Sequence, residues 1–291
     1  MPVVIQIFQL LAHLPLTWMQ RLGACLGWIV WFVSPRYRRT FLANVKESGI
    51  ASHLTRPAIA AAGMVVSELP WVWMRPHTQT LNNLVQFDGA QYFEEAMRAG
   101  KGVIIMSPHI GSWEIGAQAI AEKFGPEFGD MVVLFRPARK PWLESLVANA
   151  RTRPFLNSTP TTMSGVRTLM RTLRAGGYTA ILPDQVPPMG QGVWAPFFGR
   201  DVYTMTLLAK LAQQTGAQVI QTWCERLPIG QGFCLHMRPM QAPELNDTSV
   251  SPEQAAIAVN RGVEDMIRHA PGQYLWSYDR DKQPRSEGAA Q

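Results

Sequence analysis

Two kinds of apolar pattern follow one another along the chain. Near the start the apolar positions come in long runs: Val3 to Leu16, interrupted by Gln6, Gln9, His13 and Pro15, and then Leu22 to Val33, which carries no charge. Ser34-Pro35-Arg36-Tyr37-Arg38-Arg39 closes the second run with cations. From Phe41 to Met74 the spacing is helical, with Pro57 and Pro70 as punctuation and Trp71 and Trp73 at the close. Beyond that, short apolar runs alternate with amphipathic stretches. The runs predict strands at Leu84–Phe87, Val103–Met106, Met131–Phe135, Tyr178–Leu182, Gln218–Trp223 and Phe233–Arg238. Between them helices are expected at Ala90–Ala99, Ser112–Phe124, Trp142–Arg151, Val166–Ala175, Thr204–Thr215 and Glu253–His269, with Ser112 and Ser251 as candidate N-caps. Strands alternating with helices of this length imply an α/β fold with a largely parallel sheet flanked by helices.

Charge sharpens the reading of the first segment. Only 16% of the 291 residues are charged, where about a quarter is usual, so part of the surface is expected to face something other than water. The formal charge is +6, and residues 1–40 hold Arg21, Arg36, Arg38 and Arg39 with no Asp or Glu. Cations interleaved with Trp, Phe, Leu and Ile suit an anionic membrane surface. Neither apolar run alone reaches the roughly 20 residues that span a bilayer, and the cations follow the run, unlike a cleavable signal peptide. We therefore expect a helix or helical hairpin dipping into one leaflet, with Trp18, Trp28 and Trp31 near the interface; a buried core hairpin is the alternative. No zinc-finger spacing, RNA-binding aromatic signature or basic helix register favours nucleic acid. Cys25, Cys224 and Cys234 are too scattered for a disulfide framework, and small buried apolar roles are expected for them. The only candidate boundary lies near residues 35–40. It divides a membrane-associating segment, 1–40, from an α/β domain, 41–282, with a flexible tail at 283–291.

The candidate chemistry gathers at strand ends, where a mostly parallel sheet collects ligands. Val103–Met106 runs into Ser107-Pro108-His109-Ile110-Gly111-Ser112-Trp113-Glu114. His109 and Glu114 are too far apart in sequence to stack on one helix, but a turn at Gly111-Ser112 would let them meet. Glu114 could then accept the Nδ1 proton and leave Nε2 as a base. The plain alternative is that His109 ends the strand and Glu114 complements the helix dipole. Asp184, in Leu182-Pro183-Asp184-Gln185, stands past another strand, either as a site carboxylate or as a turn cap. Arg136, after Phe135, and Arg151 and Arg153, ending the next helix, suit phosphate or carboxylate recognition or are solvated surface cations. No metal centre is expected: there is no HExxH, no Cys/His cluster and no Asp-x-Asp near the histidine. The G-x-S-x-G elbow, the P-loop and the dinucleotide fingerprint are likewise missing.

Taken with Pro183-Asp184-Gln185, Pro196-Phe197-Phe198-Gly199, Phe135-Arg136-Pro137 and Tyr274-Leu275-Trp276 with Arg280 and Lys282, the His109–Glu114 segment resembles the bacterial late acyltransferases of lipid A biosynthesis, within the lysophospholipid acyltransferase superfamily. The likeness extends over nearly the whole chain, including the apolar leader. It departs at Val186 and Pro187, where many members carry an acidic residue and Gly. The resemblance implies a membrane-bound enzyme at the cytoplasmic face of the inner membrane. It would move a fatty acyl chain from an acyl carrier protein thioester, with coenzyme A as the alternative donor, to a hydroxyl of a lipid A precursor or another glycolipid, without a cofactor. His109 would be the general base and Glu114 its orienter; Arg151 and Asp184 would complete the site, and Arg136 would help bind an anionic substrate. An acyltransferase for another bacterial lipid, a thioester hydrolase and a non-catalytic lipid-binding protein of the same fold are the competing expectations.

Overall fold

The computed structural model describes residues 3–81, 83–135 and 153–284. Its first part is a helical layer: α1 (Val3–Ala12), α2 (Leu16–Val33), α3 (Pro35–Ser48), the short α4 (Ser52–Thr55) and α5 (Ala58–Met74). Punctuation is local. Ser34 accepts a hydrogen bond from the Tyr37 amide with Pro35 as the first helical residue, and Gly49, in the left-handed region at φ 68°, ends α3. Pro70, expected to interrupt, lies inside α5 instead.

Helices α2 and α5 pack closely because glycines stand where they cross. A Cβ on Gly27 would run into the Ile59 carbonyl, and one on Gly63 into the backbone of Gly23 and Gly27. Polar groups also bond across this inner face. Ser67 Oγ donates to the Met19 carbonyl at 2.7 Å and Gln20 Nε2 to Glu68 at 3.1 Å. The outer face is different: Leu10 is 71% exposed, Trp18 61%, Phe32 69% and Val33 75%, with Leu22, Leu26 and Ile29 continuing the stripe. Among the described residues one helical stretch, Ser52–Met74, is long and apolar enough to cross a membrane by length and composition, and half of its most apolar window is buried. Within that stretch Glu68 is held by Arg226 of the sheet at 2.6 and 2.8 Å, which ties α5 to the body of the protein.

The body is a seven-stranded sheet in the order β1-β9-β8-β2-β5-β3-β4. Its strands are β1 (Val85–Asp88), β2 (Val103–Met106), β3 (Met131–Phe135), β4 (Leu156–Pro160), β5 (Tyr178–Ile181), β8 (Gln218–Arg226) and β9 (Phe233–Pro239). β9 runs antiparallel to β8, and all other neighbours are parallel. The sheet is therefore mostly, not wholly, parallel. α6 (Ala90–Arg98), α7 (Trp113–Phe128), α8 (Met163–Arg174), α9 (Leu207–Thr215) and α10 (Pro252–His269) flank it, α10 opening on a full capping box between Ser251 and Gln254. The central strand β2 is wholly buried, and apolar clusters fill both faces of the sheet.

Three strands go beyond the sequence expectations. β4 is a polar edge strand, and β6 (Gly192–Phe197) and β7 (Arg200–Met205) form a separate antiparallel hairpin. Phe198 and Gly199 make its two-residue turn, both at positive φ, 47° and 78°. The expected helix Trp142–Arg151, and the expected tail from residue 285, lie outside the described residues.

Candidate active site

The register of two strands brings the site together. β2 and β5 are parallel neighbours with Met106 opposite Ile181. His109 and Asp184 each follow three residues later, so they come out side by side at the carboxyl edge of the sheet. Asp184 Oδ1 lies 2.7 Å from His109 Nδ1, while Oδ2 accepts the His109 backbone amide at 2.9 Å. The two chain ends are thus clamped to each other twice. The loop after His109 is fixed from the far side, where Leu275 donates to the His109 carbonyl at 3.0 Å and Gly111 to the Gln273 carbonyl at 3.0 Å. Gly111 is required here: its φ is 59°, and any Cβ would strike the Cys224 carbonyl.

Asp184 is buried, which alone would raise its pKa. The positive charge that His109 can carry, the two His109 hydrogen bonds and the nearby Arg280 outweigh burial, and the carboxyl is held below its usual range. It is therefore ionised and accepts from Nδ1–H. With the proton on Nδ1, Nε2 keeps its lone pair, and the His109 side chain is 16% exposed. Gln185 Nε2 stands 3.0 Å from this nitrogen, and the edge-on Trp113 ring 4.8 Å from the imidazole. Burial, then the Asp184 charge, keeps the Tyr274 hydroxyl protonated where it bonds Asp184. Arg280 is buried over the Phe197 ring at 4.8 Å, so the hairpin that carries Pro196-Phe197-Phe198-Gly199 seats a cation whose charge acts on Asp184.

Glu114 takes another place from the one expected of it. The carboxylate on His109 Nδ1 is Asp184, because the strand register delivers Asp184 to that nitrogen. Glu114, in the first turn of α7, accepts from Trp73 Nε1 at 3.2 Å and so joins the end of α5 to the site. Ser112 sits at the N-cap position of α7, yet its hydroxyl donates to Glu68 at 3.0 Å rather than capping the helix. The site loop, α2, α5 and β8 therefore share one buried network through Glu68 and Arg226.

Arg136 and Arg151 lie outside the described residues. Arg153 is buried, donates to the Val72 carbonyl at 2.9 Å, and is lowered to about 10 by burial and then by the Arg75 charge. Among the described residues no group of three or more His, Cys, Asp or Glu side chains could hold a metal ion. Cys224 is buried as expected, whereas Cys25 is exposed on α2. Sequence reasoning assigned no role to Gln185, Tyr274 or Arg280. Gln185 had a signal, its place directly after a strand-end carboxylate; the other two come from a distant closing segment that only the fold brings in.

Fold and site together define an α/β protein with a histidine–aspartate pair at the carboxyl edge of a mostly parallel sheet, roofed by helices with an apolar outer face. The family model of the bacterial lipid A biosynthesis acyltransferases matches residues 2–283, and the chain belongs to that family. It is 29% identical over 191 residues to a lipid A biosynthesis acyltransferase of Haemophilus influenzae, an alignment covering 66% of this chain and 57% of that protein. It is 26% identical over 230 residues to the lipid A biosynthesis lauroyltransferase of Escherichia coli, covering 78% and 71%. The palmitoleoyltransferase of the same pathway in Escherichia coli is 24% identical over 221 residues, covering 76% and 68%. The chain thus spans little more than half the length of the Haemophilus protein.

Proposed function

We propose that the protein is a lipid A biosynthesis acyltransferase that moves a fatty acyl chain from an acyl carrier protein thioester to a hydroxyl of a lipid A precursor. His109 Nε2 takes the proton of the attacking hydroxyl, Asp184 holds the ring in the required tautomer, and the oxygen attacks the thioester carbonyl carbon. The carbon–sulfur bond breaks, and the released thiolate takes the proton. Positioned proton transfer of this kind contributes about 10²- to 10⁴-fold, and no covalent acyl-enzyme is needed. Glu114 supports the site from the α7 side, Arg151 completes it, and Arg136 helps bind the anionic substrate.

The observation that supports this reading best is the 2.7 Å pairing of His109 Nδ1 with a buried, ionised Asp184, which frees Nε2 as a base. The apolar outer stripe of α1 and α2, with Arg21, Arg36 and Arg39 exposed at its borders, fits immersion in the inner membrane from its cytoplasmic face. His109→Ala is expected to lower acyl transfer at least about 10²-fold while leaving membrane association unchanged. Radiolabelled acyl transfer and membrane fractionation check both halves, and transfer within a few-fold of wild type would exclude His109 as the base. Mass spectrometry of lipid A from cells with and without the protein tests the acceptor, since an unchanged profile points to another lipid.

A further inference from the structure

The lone pair on which the proposed reaction depends is already engaged. With the proton on Nδ1, His109 Nε2 is an acceptor only, so the group 3.0 Å away must be the donating amide of Gln185. An imidazole nitrogen has one in-plane lone pair. It cannot accept from Gln185 and from a substrate hydroxyl together. Any hydroxyl, water included, must displace the amide before it can be deprotonated.

The backbone around Gln185 makes this a movement of the side chain alone. Asp184 before it is buried and doubly bonded to His109, and the Val186 amide after it donates to the Tyr278 hydroxyl at 3.0 Å. Pro183, Pro187 and Pro188 stiffen the segment further. Water and a lipid hydroxyl then meet the same obstacle with different means. A lipid acceptor is held by its chains and head group, and that remote binding free energy can be used to push the amide aside. Water has no such remote contacts.

We infer that Gln185 guards the base, withholding His109 Nε2 from water until a lipid hydroxyl displaces the amide, so that the acyl thioester is transferred rather than hydrolysed. The side reaction it suppresses is balanced: water adds to the thioester carbonyl, the carbon–sulfur bond breaks, and a fatty acid and a thiol result. The inference rests on the acyltransferase reading above. It makes Gln185 a positioning residue that acts through His109.

The test uses the full chain in detergent micelles with a lauroyl thioester of acyl carrier protein, with and without under-acylated lipid A, and quantifies both acylated lipid and free laurate. Gln185→Ala and the near-isosteric Gln185→Met, which keeps length and loses the donor, are expected to raise the ratio of hydrolysis to transfer about tenfold or more. That excess should vanish when His109→Ala is added. A purely structural role would lower both products in proportion and leave the ratio where it was. Gln185→Glu places a carboxylate on Nε2 that favours the protonated ring, so the pH of half-maximal transfer should rise by about one unit. Wild-type transfer with an unchanged ratio in both neutral variants overturns the guard and spares the acyltransferase reading. A wild-type protein that consumes no thioester overturns both.

Discussion

The helical layer and the sheet body are both rich in apolar residues, and they use them in opposite ways. Val103 to Met106 in β2 are all buried, whereas Trp18, Phe32 and Val33 of α2 stand more than half exposed. The contrast lies within α2 itself. Its inner side carries Gly23 and Gly27, Met19 and Gln20 against α5, and its outer side carries the exposed Leu22, Leu26, Ile29 and Val33. Hydropathy alone measures how apolar a segment is. The small and polar residues on one side of a helix tell which side meets protein, and by subtraction which side is left uncovered.

The largest way to break this arrangement is in the site that the sheet builds. Asp184→Asn keeps the shape of the side chain but can favour the wrong histidine tautomer, and changes of this type cost about 10⁴-fold in catalytic triads. We expect acyl transfer to fall at least about 10³-fold, with little change in KM. Glu114→Gln, which touches the Trp73 side of the site, should lose less. If the two variants lost equal activity, the assignment of the orienting role to Asp184 over Glu114 would be wrong.

Next in size is the join between the two regions. Glu68→Ala leaves Arg226 buried without its carboxylate and strips Gln20 and Ser112 of a partner. Removing one member of a buried pair costs about 3–5 kcal/mol. Chemical denaturation in detergent should record that loss, and activity should fall with it because Ser112 belongs to the loop that carries His109. A loss under about 1 kcal/mol would mean that this pair behaves like an exposed one and does not couple the layer to the site.

Which parts were legible in the sequence follows from what each depends on. The bounds of β2 and β3 could be read directly, because a buried parallel strand is a short apolar run. β4, with the sequence Leu-Asn-Ser-Thr-Pro, could not, since an edge strand needs no apolar run. The β6–β7 hairpin hid behind Pro196 and a turn that puts Phe198, not a glycine or asparagine, at positive φ. In the site, both carboxylates were visible as candidates near strand ends. Choosing Asp184 over Glu114 needed the pairing of Met106 with Ile181, and register is a tertiary property that local spacing does not contain. In the layer, Glu68 carried a signal the sequence reading passed over: one acid within an apolar stretch ending at Met74 argues for a helix pinned to protein.

The outer stripe can be tested without disturbing the inner one. Deleting residues 1–34 would also uncover the α5 face that α2 packs against, so point changes make the cleaner experiment. Phe32→Ser with Val33→Ser alters only exposed positions, where stability usually moves within about 0.5 kcal/mol. If these side chains are immersed in lipid, their loss should weaken vesicle binding by about 2–3 kcal/mol, part of the full burial value for two large apolar groups. Flotation with anionic vesicles and thermal unfolding in detergent give the two readouts. Unchanged flotation would return the stripe to an ordinary surface and remove the reason for the contrast drawn between inner and outer faces.

The smallest effect expected is one of pH, and it should arise in the sheet rather than the layer. At the β1–β9–β8 edge His236 lies 2.8 Å from Asp88 and 3.1 Å from Glu225. Its pKa is raised, first by the hydrogen bond to Glu225 and then, against the effect of burial, by the bond to Asp88. Asp88 is lowered, chiefly by its hydrogen bond with Arg238 and next by His236. A raised histidine contributes stability that is complete below its unfolded value of about 6.5 and is lost as pH climbs through the folded value. A lowered aspartate contributes stability that is complete above about 3.9 and is lost as pH falls through the folded value. The cluster should therefore stabilise the sheet most between about pH 4 and 6.5, and weaken on the alkaline side first under physiological conditions. His236→Gln removes the titration while keeping a hydrogen-bonding side chain. Thermal unfolding from about pH 5.5 to 8.5 should show a decline in the wild type that is flatter in the variant. Parallel curves would place the pH dependence elsewhere in the molecule, and the edge cluster would then be no more than a fixed polar border to β9.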